Sequence, residues 1–124
     1  MKMKSINIPD IYELEYLFEC NALVADEEVG WYYSGVSFVL ERDSVVIEFY
    51  LLPALRSGSL TICLNKNTII DIDLENISEI TLKRDINIEV IELNFDKDNF
   101  VEPLIVQTKP FIKANWGTSR ELNL

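Results

Sequence analysis

Carboxylates are the abundant reactive groups of this chain: 21 of its 124 residues are Asp or Glu, 11 are Lys or Arg, and none is His. Two acids flanking a glycosidic bond can act as acid and base or nucleophile, but so many carboxylates single out no pair. The run Asp71-Ile72-Asp73-Leu74-Glu75-Asn76 places oxygens at alternate positions, as a calcium loop does. Asn76 stands where such a loop needs glycine and the intervening residues are apolar, so a strand with solvated acids explains it better. Asp96-Lys97-Asp98-Asn99 has the composition of a turn. No metal is assigned to either segment.

Without histidine the chain lacks the usual general base, the usual zinc ligand and every Ser-His or Cys-His nucleophile pair. Ser57-Gly58-Ser59 lacks the spacing of a nucleophile elbow, and glycines at 30, 35, 58 and 117 form no phosphate loop. Cys20 and Cys63 make no CxxC pair and are expected to be free thiols, packing as small apolar residues. The expectation is a non-enzymatic chain with no catalytic residue and no cofactor.

The elements that carry these residues read as one mainly β (α+β) domain over residues 1–124. From Trp31 onward the pattern suggests short strands. Val36, Phe38 and Leu40 alternate with smaller or polar residues and pass through a turn at Glu41-Arg42-Asp43-Ser44 into Val45–Leu52, whose near-continuous apolarity predicts a buried central strand. Leu60, Ile62 and Leu64 define the next strand, Asn65-Lys66-Asn67 a turn, and Ile70, Ile72 and Leu74 a strand with Asp71 and Asp73 on the face opposite the core. Between Ile86 and Phe95 the apolar set shifts from 86, 88 and 90 to 91, 93 and 95, which predicts a β-bulge or bend near Val90 and Ile91. The last strand, Pro103 to Ile112, is expected at a sheet edge because its prolines cannot donate to a ladder, and the tail from about 115 is expected to be loosely held. About six to seven strands in an antiparallel sandwich or partly open barrel follow.

Residues 9–24 fit two patterns. A helix would start at an Asp10 cap with Glu13 three residues on and turn Ile11, Leu14, Leu17 and Phe18 to the core; a strand would alternate from Tyr12 to Cys20 with one exception. Capping and length favour the helix. The N-terminus lacks the apolar stretch of a signal peptide and no run approaches the roughly 20 residues needed to span a bilayer, so a cytosolic location is expected.

Charge is the informative feature. Asp10, Glu13, Glu15, Glu19, Asp26, Glu27, Glu28 and Glu41 lie in a stretch without a single cation, interleaved with Tyr12, Tyr16, Phe18, Trp31, Tyr32 and Tyr33. A second block, Asp71 to Glu102, is also acidic, within a net charge of −10. Such a field repels nucleic acid and anionic membrane and attracts basic proteins; Trp and Tyr are enriched at binding hot spots. The expected partner-binding residues are Asp10, Glu13, Glu15, Glu19, Asp26, Glu27, Glu28, Trp31, Tyr32 and Tyr33, the acids steering a basic partner and at least one ring facing outward.

A histidine-free, acidic chain of this size, with short strands and acids bunched with aromatics, resembles the small immunity proteins of bacterial polymorphic and contact-dependent inhibition toxin systems. The resemblance is to a class and spans the whole chain in size and charge. It implies an inhibitor that binds a cognate basic toxin, often a nuclease domain, and occludes its substrate cleft. Two other readings remain open at this level: a small-ligand binding β module with a pocket lined by Phe38, Phe49 and Tyr50, and an acidic mimic of nucleic acid.

Overall fold

Nine strands form two antiparallel sheets over one core, to which helix α1 (Ile11–Phe18) also contributes, in the computed structural model, which describes residues 5–118. The first sheet has the order β1 (Leu23–Val24), β2 (Val36–Arg42), β3 (Val45–Leu52), β4 (Ser57–Leu64), β5 (Asn67–Leu74). Two of its hairpins turn on two residues each: Asp43 and Ser44 have φ 53° and 71°, Asn65 and Lys66 φ 49° and 69°, the left-handed geometry that matches strand twist in such tight loops. β3 is the central strand, with Ile47, Phe49 and Leu51 no more than 2% exposed, as its apolarity predicts.

The chain leaves β3 through a 3₁₀ turn at Pro53–Leu55 and re-enters at β4. Only glycine fits at 58 there, because a Cβ would stand 2.2 Å from the Tyr50 carbonyl oxygen. Asn76, at φ 59°, carries the chain into the second sheet, ordered β6 (Ile77–Asp85), β7 (Ile88–Phe95), β8 (Leu104–Lys109), β9 (Lys113–Asn115). The sheets form a sandwich whose core takes Phe38, Phe49, Leu51 and Leu60 from one side and Ile80, Ile91, Leu93, Leu104 and Val106 from the other.

Several expectations need correction. Trp31–Ser34 is a one-turn helix, α2, and not the start of a strand. Gly30 and Gly35, at φ 95° and 100°, break the extended chain on either side, and the Ser34 hydroxyl donates to the Gly30 carbonyl at 2.8 Å. The irregularity in β7 exists, but one residue early and on one side only: pairing with β8 shifts between Glu89 and Val90 while the ladder to β6 is unbroken there. The inward set is therefore 89, 91 and 93, and the price of that phase is a buried carboxylate, Glu89. β8 is not an edge strand, since β9 pairs with it from Ile105 to Gln107. Pro103 and Pro110 lie just outside β8, where no ladder donor is lost. The tail is held as far as Thr118: Trp116 stacks on Phe95 at 5.4 Å and Thr118 bridges to Val101. The rest of that expectation, from 119, lies outside the described residues, as does the reading of residues 1–4.

Candidate partner-binding surface

Residues 9–24 resolve into helix α1 (Ile11–Phe18) followed by β1. Asp10 caps it, accepting from the Tyr12 N–H at 2.9 Å, and Glu19 ends it in the left-handed conformation. The buried face is Leu14, Leu17 and Phe18. Phe18 inserts against Phe38 and Phe49, at centroid distances of 5.3 and 5.6 Å, so the pocket expected between those two rings is filled, and Tyr50 points to the opposite face of β3. Tyr12 and Tyr16 are left outward, 74% and 58% exposed.

The ten residues expected to contact a partner divide by what their side chains already do. Asp10 is the helix cap. The Glu15 carboxylate accepts from the Ala22 N–H at 2.6 Å and ties down the following loop. Asp26 accepts from the Glu28 N–H at 3.0 Å, closing the turn before α2. Glu19 is an ion-pair centre. Glu13, Glu27 and Glu28 are exposed, and their side chains make no hydrogen bond or ion pair among the described residues. In α2, Trp31 and Tyr32 are half-buried in an edge-to-face contact, and Tyr33 faces solvent, which meets the expectation that one ring points outward.

A cation cluster beside α1 is invisible to local sequence reading, because its members are far apart in the chain. Arg42 of β2 donates to Glu19 and, from Nε, to the Thr108 carbonyl at 2.8 Å. Lys109 lies 3.4 Å from both Glu19 and the buried Glu89; Arg84 donates to Glu89 at 3.2 Å and stands 4.3 Å over the Tyr16 ring. The Arg42 hydrogen bond holds the Glu19 carboxyl below its ordinary range, against the opposing effect of burial and with help from the Lys109 pair. Glu89 first, and then Glu19, keep the Lys109 ammonium above its usual value. A carboxylate depressed in the folded state adds stability above its unfolded pKa and loses it as pH falls through the folded one. Glu19→Gln is therefore expected to lower the melting temperature slightly at neutral pH, with the difference closing as pH falls below the ordinary glutamate range. A gap that stays constant down to acid unfolding would show that this pair is energetically silent.

The single-signed surface lies elsewhere, on the outer face of the first sheet. Its paired rows read Val39, Glu48, Thr61, Asp71 and Ser37, Tyr50, Ser59, Asp73, with Glu41 beside Val46 at the end and no Lys or Arg in any outward position of β2 to β5. Members of both acidic blocks thus share this face, while Glu19, at the C-terminal end of α1, sits among cations. Gly35 packs against the Tyr50 ring, which sets α2 at the Tyr50 end of the same face.

A hollow of about 670 Å³ is lined by Ser78, Glu79, Asn94, Phe95, Phe100 and Pro103 among others, and by none of the acids of that face. Among the described residues no group of three or more His, Cys, Asp or Glu is placed to hold a metal ion, Cys20 and Cys63 are free thiols, and no helix is long and apolar enough to cross a membrane.

No family model and no curated protein matches the sequence. In fold, the chain is similar, at a TM-score of 0.79 and 16% identity over 93% of its length and 98% of the other's, to a chain of a contact-dependent growth inhibition toxin–immunity protein complex from Klebsiella pneumoniae 342.

Proposed function

We propose that this protein is an immunity protein: it binds a cognate toxin and neutralises it without chemistry of its own. The similarity in fold to a chain from a toxin–immunity complex carries this reading, and the class that the sequence resembles agrees with it. The partner we assign is a basic toxin domain of nuclease type, met in the cytoplasm and blocked at its substrate cleft, where carboxylates take the place of phosphates. Net charge of −10 supports that choice, since opposite fields speed encounter and suppress wrong partners.

The contact residues assigned are Asp10, Glu13, Glu15, Glu19, Asp26, Glu27, Glu28, Trp31, Tyr32 and Tyr33. Within this set, the uncommitted carboxylates of Glu13, Glu27 and Glu28 have no side-chain partner among the described residues, and Tyr33 offers a large exposed ring. The remaining acids hold the loop and helix that present them.

The test is expression of the chain with the toxin encoded beside its gene, reading growth rescue and co-purification at low and high salt. Rescue with a stoichiometric complex is expected; a toxin that kills in the presence of the folded chain would end the immunity reading. Asp26→Asn, Glu27→Gln and Glu28→Gln together are expected to weaken the complex about tenfold or more and to flatten its salt dependence. Asn at 26 can still accept from the Glu28 N–H, so the fold is kept. Unchanged affinity would remove this surface from the mechanism.

A further inference from the structure

Sheet edges carry alternate backbone N–H and C=O groups without strand partners, and natural proteins cover, shorten or charge them. Three of the four edges here are short, covered or carry cations, and the fourth carries only acids. β1 is two residues long and β9 three. On β6, Asn7 covers the start, its N–H donating to the Ser78 carbonyl at 3.1 Å and its carbonyl accepting from Ile80 at 2.8 Å, while the far end carries Lys83 and Arg84. β5 is different. It runs for eight residues, ends the first sheet, contains no Pro, Lys or Arg, and is paired by no strand on its outer side among the described residues.

Its side chains describe the missing neighbour. On the core face Ile70 and Ile72 are only half-buried, whereas Ile47 and Phe49 in the central strand are at most 2% exposed; the edge isoleucines lack a strand beyond them. On the outer face Asp71 and Asp73 are exposed and end two cross-strand rows that contain no cation. A second copy paired antiparallel about Ile72 would set aspartate against aspartate, which opposes self-pairing in that register.

We propose that the edge of β5 docks an extended segment of the partner, which adds to the first sheet as a further strand and alternates apolar residues, over Ile70 and Ile72, with Lys or Arg, opposite Asp71 and Asp73. In assigning the segment to a basic toxin this rests on the immunity reading; the edge itself does not. Backbone pairing supplies the docking and the alternating side chains the selectivity.

Hydrogen exchange on the full chain tests it, with a synthetic ten-residue peptide alternating Lys and Val as probe and its Glu/Val counterpart as control. The Lys/Val peptide is expected to slow exchange across 67–74 and not across α1, the Glu/Val peptide to do neither, and Asp71→Lys with Asp73→Lys to weaken the effect about tenfold. Both substitutions are on the exposed face, and an unchanged circular dichroism spectrum confirms folding. Absence of slowing at 67–74, equal slowing by both peptides, or slowing at 67–74 caused by dimerisation of the chain alone would each overturn the proposal. A neutralised toxin complex whose formation leaves 67–74 unprotected sinks the edge and spares the immunity reading; peptide protection without toxin neutralisation does the reverse.

Discussion

Phe18→Ala is expected to cost about 3–5 kcal/mol of folding stability, the usual toll for deleting a buried aromatic ring. Phe18 is 1% exposed and stacks on both Phe38 and Phe49, so the substitution removes transfer free energy and two aromatic contacts and leaves a hole between α1 and the first sheet. Relaxation is limited, because Phe38 and Phe49 sit in paired neighbouring strands held by a continuous ladder. The consequence reaches function. An isolated helix of eight residues is far below the length that is stable in water, and α1 is attached through Leu14, Leu17 and Phe18. Urea denaturation should show the lower midpoint, and amides 11–18 should exchange faster than those of β3. Phe18→Leu is expected to recover part of the loss. A cost for Phe18→Ala below about 1 kcal/mol would mean that α1 is not anchored through this ring.

Arg56→Ala is expected to destabilise the fold by about 2–3 kcal/mol, in the range for hydrogen bonds to charged groups in partly buried pairs. The Arg56 guanidinium grips both Asp96 oxygens at 2.9 Å and donates to the Ile77 carbonyl at 3.2 Å, and both charged side chains are 14% exposed. The main chain repeats the link, with the Ile77 N–H donating to the Arg56 carbonyl at 3.0 Å. These contacts join the 3₁₀ turn of the first sheet to the start of β6 and the end of β7, on opposite sides of the crossing at Asn76. The Asp96 hydrogen bond holds the Arg56 pKa above its already high value, so the guanidinium is charged across the working pH range. Arg56→Lys keeps the charge and loses the two-pronged geometry, and should restore less than half of the difference. Equal stability of wild type and both variants in urea would show that the main-chain bonds alone secure the corner.

Much of the architecture was legible because it depends on neighbours in sequence. Alternation at Phe38 and Leu40, at Leu60 and Ile62 and at Ile70 to Leu74 specified strand faces, and the Asp-Ser and Asn-Lys turns supplied the left-handed pairs that tight hairpins need. The Asp10 cap and the spacing of Leu14, Leu17 and Phe18 decided α1. Where local signals misled, a specific contact explains it: glycines at 30 and 35 coil Trp31–Ser34 into a turn, and β9 covers the edge that two prolines had implied for β8.

Charge was legible as an amount and not as a surface. The sequence alone determined that residues 5–41 carry eight acids and no cation, because composition is additive along the chain. Which of those carboxylates stay available was decided only by tertiary structure: Arg42 and Lys109 come from distant strands to pair with Glu19, and β-sheet register lines Glu41 and Glu48 up on the same cation-free face as Asp71 and Asp73. Electrostatic interaction depends on separation in space, and the separations that matter are set by strand order and register, which pair residues tens of positions apart.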